Sequence, residues 1–168
     1  VIRRQRQMCI RDRTINIVNS GSGYGTTTFT SSSNANITYT GAGAETVILG
    51  SGNDTVNLNS GDDTVTGGAG NDTIDGGDGT DIAIFSGDKS NYTITETGYA
   101  QYQVVDNQGT DGTDTLSNIE TLRFSDQDFD ITPSGQKLEG DSSDDSIDGS
   151  VGDDFIYGYG GADTLKGL

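Results

Sequence analysis

Aliphatic residues recur every nine positions along this chain: Val47, Val56, Val65, Ile74 and Ala83 in one run, then Ile147, Ile156 and Leu165 in another. The polar positions between them repeat as well. Five contiguous nine-residue units begin at Thr40, Leu49, Leu58, Gly67 and Gly76, and three more at Gly140, Gly149 and Gly158. Positions one to six of each unit are rich in Gly, Asn, Asp and Ser, which predicts a tight loop. Positions seven to nine, typically Thr-Val-Asn, predict a short strand with its aliphatic residue on one face. A strand of three residues buries nothing alone. Stacked strands bury a continuous file of Val and Ile, so the fixed period predicts a solenoid.

The loop positions carry the chemistry. Position six is acidic in all eight units: Glu45, Asp54, Asp63, Asp72, Asp81, Asp145, Asp154 and Asp163. Position four is Gly in seven of them, with Ser143 the exception. Two units make one coil, so loops eighteen residues apart stack at about the 4.8 Å inter-strand spacing. Asp54 then lies over Asp72, and Asp63 over Asp81. Bare carboxylates that close repel and desolvate each other, and a cation between them removes the conflict. Calcium accepts six to eight hard oxygens at roughly 2.3–2.6 Å, and two carboxylates plus loop carbonyls exposed by glycine supply such a set. The tracts contain no Cys and no His, so zinc and copper fit poorly. One isolated loop of this kind is better read as an Asx turn capping a strand. Eight in phase read as sites for several calcium ions, formed by Gly52, Asp54, Gly61, Asp63, Gly70, Asp72, Gly79, Asp81, Asp145, Gly152, Asp154, Gly161 and Asp163. Glu45 reaches further than Asp and stands outside that set. Position five is read as a non-ligand position, so Asn71→Ser is expected to leave calcium affinity nearly unchanged.

The unit resembles the RTX (repeats-in-toxin) nonapeptide G-G-x-G-x-D-x-U-x, with U a large aliphatic. The copies from Gly67 and Gly76 match it almost letter for letter, and the resemblance covers 45 residues in the first tract and 27 in the second. It implies a calcium-loaded parallel β-roll in a protein exported from a Gram-negative bacterium through type I secretion machinery.

Outside the repeats, residues 14–39 alternate in TINIV and NITY and predict short strands leading into the roll. Their phase differs from that of the repeats, so no calcium is placed there. Between the first tract (40–84) and the second (140–168) lies a segment, 85–139, predicted to be a small antiparallel module. Asn91–Thr95 and Tyr102–Val105 alternate around Thr97-Gly98 and read as a β-hairpin. This segment is similar to the spacer found between RTX tracts in large bacterial exoproteins, and is expected to cap the roll edges. Asp111, Asp114 and Asp126 read there either as ligands or, equally, as a DG turn with strand capping.

Composition sharpens the picture. Only 30% of residues are apolar, Trp is absent, and the net charge is −17. That is a thin core for 168 residues, which metal ions are expected to supplement. The acidity argues against a nucleic-acid partner. No segment approaches the ~20 apolar residues of a membrane span. Residues 1–13 break the trend with five bases, one acid and the only Cys and Met; setting them aside leaves −21. They resemble translated adapter read-through from a metagenomic assembly, or form a disordered arm. With no His, no Ser-His-Asp or Cys-His arrangement exists. The abundant carboxylate pairs, which would suit a glycosidase, are accounted for by the repeat.

The expected fold is all-β: a right-handed parallel β-roll in two tracts, with an antiparallel spacer between them. The expected function is non-enzymatic. Calcium binding drives extracellular folding of a secreted protein, free or associated with the cell surface, of which this chain reads as a fragment. The parent is an adhesin with a surface or polysaccharide ligand, or an exoenzyme such as a protease, lipase or polysaccharide epimerase, or a pore-forming toxin. A Thr-rich ice-binding solenoid, suggested by TTTFT, is a further alternative, though Thr commonly faces solvent on strands.

Overall fold

The structure, a computed structural model, describes residues 13–17, 25–28, 34–39, 42–149 and 154–166. Residues 1–12 and the expected ligand Gly152 lie outside the described residues. In chain order the strands are β1 (Arg13–Ile17), β2 (Gly25–Thr28), β3 (Ala35–Tyr39), β4 (Glu45–Ile48), β5 (Thr55–Asn57), β6 (Thr64–Thr66), β7 (Thr73–Asp75) and β8 (Ile82–Ile84). A 3-10 turn at Lys89–Asn91 precedes β9 (Tyr92–Gly98), β10 (Gln101–Asp106), β11 (Thr113–Ser117), β12 (Thr121–Arg123) and β13 (Asp128–Asp130). The last four are β14 (Lys137–Glu139), β15 (Ser146–Asp148), β16 (Phe155–Tyr157) and β17 (Thr164–Lys166). The chain forms two compact units, one of residues up to Thr95 with Tyr102–Ile131, the other of Glu96–Gln101 with Thr132–Leu168.

The first unit is a parallel roll. From β1 to β8 successive strands alternate between two sheets, ordered β1-β3-β5-β7-β11-β10-β9 and β13-β12-β8-β6-β4-β2. The aliphatic period sets the register. Ile37, Val56, Ile74 and Leu116 align in one sheet, and Val47, Val65, Ala83 and Leu122 in the other. All eight side chains are buried in one shared core. The strands 14–39 join these files in phase, through Ile15 on Ile37 and Thr27 on Val47. Their coils are longer than eighteen residues, which explains why their phase looks wrong when counted along the chain.

Residues 85–139 are not antiparallel throughout, contrary to the reading of the sequence. β11 pairs parallel with β7, and β12 parallel with β8. The roll resumes because Gly112-Thr113-Asp114-Thr115-Leu116 restores the Gly-x-acid-x-aliphatic frame. The antiparallel part consists of the β9–β10 hairpin and of β13, which lies on β12 with Phe129 opposite Leu122. The hairpin turns at Tyr99-Ala100, two residues beyond the expected Thr97-Gly98. Buried and polar positions keep alternating as far as Gly98, and Ala100 takes the left-handed conformation (φ 52°) at the bend. Phe85, Tyr92 and Phe124, with ring centroids 5.0–5.4 Å apart, pack beside the last coil. β13 is an edge strand that carries charge. Arg123 grips Asp128 with two nitrogens at 2.8 and 2.9 Å, which suits an edge that must not recruit another chain.

In the second unit β14 pairs with β16 and β15 with β17, all parallel, with Ile147 aligned on Leu165. Among the described residues these are two-stranded sheets separate from those of the first unit. Two coils bury little, and Leu165 stays 48% exposed, as expected of a stack that needs three or more repeats to close a core.

Candidate metal centre

The loops end on acidic residues, and Asp54, Asp63, Asp72, Asp81, Asp154 and Asp163 each clamp the coil before. The Asp54 N–H donates to Asp72 Oδ1, and the Asp63 N–H to Asp81 Oδ1, both at 2.8 Å. The Ala35 and Glu45 N–H groups donate to Asp54 Oδ1 and Asp63 Oδ1 at 2.6 Å. The Asp145 N–H reaches Asp163 Oδ1, and the Gln136 N–H reaches Asp154 Oδ1, at 3.1 Å each. One carboxylate oxygen is therefore occupied by the backbone. The other differs from site to site. Oδ2 of Asp63, Asp72 and Asp81 is buried with no hydrogen-bond partner among the described residues. In the second tract, Asp145 Oδ2 accepts the Asp141 N–H at 2.7 Å, in the loop where Ser143 replaces Gly.

An orphaned, buried anionic oxygen is costly, by on the order of 1–3 kcal/mol or more. The protonation balance registers that cost. Burial, reinforced by neighbouring carboxylates, pushes Asp72 up to about 6 and Asp81 up to about 7. Burial also raises Asp54 and Asp63 above the usual carboxylate range. Their backbone hydrogen bonds pull the other way and do not win.

Glycine makes room for these oxygens. A Cβ on Gly67 would sit 2.3 Å from Asp72 Oδ2, and one on Gly76 would sit 2.5 Å from Asp81 Oδ2. The position-four glycines bring carbonyls into the loops. Gly70 and Gly79 have φ of 124° and 148°, and a Cβ there would stand 2.2 and 2.0 Å from the carbonyl oxygens of Gly52 and Gly61. Gly52, Gly61 and Gly161 share the positive φ. The donor set is thus hard oxygen throughout, from carboxylates and carbonyls, which fits calcium. Among the described residues no three acidic, His or Cys side chains gather at one point. An ion held here would draw on loop carbonyls as well as carboxylates.

Position five, read as a non-ligand position, has a structural role that the sequence reading did not assign. The Asn71 N–H donates to Asn53 Oδ1, and the Thr113 N–H to Asn71 Oδ1, both at 2.9 Å. The same bond runs from Asn53 to Asn34, from Thr80 to Asp62 and from Ala162 to Asp144. The signal was present as Asn or Asp at 53, 62, 71, 144 and 153. Asp111 belongs to a polar knot, accepting the Ser86 N–H, the Ser86 hydroxyl and the Tyr92 hydroxyl at 2.6–2.8 Å. Asp126 is exposed and accepts the Lys89 N–H at 2.9 Å. Asp114 is buried on the loop file of Asp54 and Asp72.

The family model of the RTX calcium-binding nonapeptide repeat matches residues 39–70, 58–87 and 137–168. The chain therefore carries RTX calcium-binding repeats in both tracts. Among solved structures, the extracellular lipase LipA from Serratia marcescens aligns with 86% of this chain at 24% identity and a TM-score of 0.44. The chain spans 25% of that lipase's length. No curated protein matches the chain.

Proposed function

We propose that this chain is a non-catalytic folding module of a secreted bacterial protein, switched on by extracellular calcium. The observation that carries the reading is the pair of buried carboxylate files, Asp72 on one side and Asp63 with Asp81 on the other, whose Oδ2 atoms have no partner among the described residues; those of Asp72 and Asp81 lie against Gly67 and Gly76, where a Cβ would collide with them. Bound calcium supplies positive charge to these oxygens. The residues do the rest: Oδ1 locks each coil to the one before, Oδ2 would hold the ion, and the aliphatic file closes behind. In a calcium-poor cytoplasm the net charge of −17 and the thin core favour an expanded chain, which suits passage through a type I export channel. Outside the cell, calcium binding offsets the chain entropy. The parent protein is, on this reading, an adhesin or exoenzyme whose binding or catalytic region lies elsewhere. Far-UV circular dichroism during a calcium titration tests the module. Strand signal should be weak in chelator and grow with calcium, with magnesium substituting poorly because it demands a tighter octahedral shell. A full strand spectrum in chelator, unchanged by calcium, would sink the reading.

A further inference from the structure

The loop file of acids continues past the point where the nonapeptide stops. Residues 112–123 lie outside every segment matched to the repeat family, yet they form a complete coil on β7 and β8. Gly112 takes position four: its φ is 84°, and a Cβ there would stand 2.2 Å from Gly70 O, the same distance that separates a Cβ on Gly70 from Gly52 O. Asp114 takes position six. The Asp72 N–H donates to Asp114 Oδ1 at 2.8 Å, and the Thr115 N–H to Asp72 O at 2.8 Å. The same two bonds, at the same distances, join Asp54 to Asp72 and Thr73 to Asp54.

On the other side the loop is shortened to Asn118-Ile119-Glu120, where the preceding coil has six residues, Gly76 to Asp81. Glutamate's extra methylene recovers the reach, and Glu120 Oε2 accepts the Asp81 N–H at 2.7 Å. Asn118 takes a left-handed conformation (φ 51°) that turns its carbonyl toward the coil below. A Cβ on Gly76 would lie 2.2 Å from Asn118 O and 2.5 Å from Asp81 Oδ2. Two oxygens from adjacent coils thus flank one gap, and the carboxylate oxygen is buried with no partner among the described residues.

We propose that this coil supplies two further calcium sites, one from Asp72 with Asp114, the other from Asp81 with Glu120 and the Asn118 carbonyl. The inference rests on the calcium reading of the matched tract. The donors are again hard oxygens without nitrogen or sulfur, which selects a calcium-sized cation over a transition metal. The bond to the backbone N–H explains one oxygen of each acid and leaves the charge unexplained.

Asp114→Asn and Glu120→Gln separate the two roles, since each keeps an acceptor oxygen and loses the charge. Calorimetric calcium titration of the full chain should show about one ion fewer per chain for each variant. Unchanged stoichiometry and affinity in both, with a wild type that binds calcium, would overturn this inference alone. A wild type that takes up no calcium would overturn the proposed function instead. A calcium-loaded crystal of the wild type bypasses any folding defect. An anomalous peak within about 2.6 Å of Asp81 Oδ2 and Asn118 O is expected. Water or nothing at that point, with calcium in the matched loops, contradicts the proposal.

Discussion

Asp72 carries two opposed effects at a single side chain. Its Oδ1 holds the Asp54 N–H, and its buried Oδ2 carries charge with no partner among the described residues. Asparagine keeps the first function and removes the cost of the second. Asp72→Asn is therefore expected to raise the residual strand content in chelator, by on the order of 1 kcal/mol in the folding equilibrium, and to lower the melting temperature in calcium. Circular dichroism in chelator and thermal unfolding in calcium check this, and a change of the same sign in both conditions would mean the acid serves only the turn. Asn71 makes a second case. Because its side-chain oxygen receives the Thr113 N–H, Asn71→Ala should cost about 0.5–1 kcal/mol in urea unfolding at saturating calcium. Asn71→Asp should cost little, since Asp62 and Asp144 fill the same role in their own coils. The acids of position six were legible in the sequence because their spacing is invariant. The position-five bonds were not, because Asn and Asp share that place with Ala and Thr and look like ordinary loop composition.

Coils, the next scale up, titrate as well as stack. Burial raises the folded-state pKa of Asp72 to about 6, Asp81 to about 7 and Asp114 to about 8, from the usual 3.8. The calcium-free roll thus binds more protons than the unfolded chain, and its stability falls as pH rises. That contribution is fully present below about 4 and is lost progressively as pH rises from there, completely by about 8. Asp106 and Asp128, whose pKa values are lowered by hydrogen bonds, contribute in the opposite sense near the usual carboxylate range, and both are on the surface. In chelator, circular dichroism should show strand content growing as pH is lowered from 8 toward 4. No gain over that range would contradict the buried-carboxylate picture. Strand existence followed from the nine-residue period, but the coil at 112–123 was hidden. The β9–β10 hairpin interrupts the count, and the second loop is three residues short with Glu in place of Asp. Pairing, rather than spacing, exposes that coil: Leu116 lies on Ile74 across 42 residues.

For the whole molecule, the repeat foretold a parallel all-β roll but gave no means of seeing where it ends. That depends on which strands run antiparallel, and β13 and the hairpin carry no periodic mark. The second tract keeps the motif, yet its two coils leave Leu165 half exposed and Asp145 satisfied by its own loop. It should respond to calcium more weakly than the first. A chain of net charge −17 with so thin a core should stay expanded until its carboxylates are neutralised. Small-angle X-ray scattering of the full chain at neutral pH reads this directly. In chelator the radius of gyration should be about 40 Å, near the value for an unfolded chain of this length, and calcium should bring it to roughly half that. A compact particle in chelator whose radius calcium leaves unchanged would show that the roll folds without the ion.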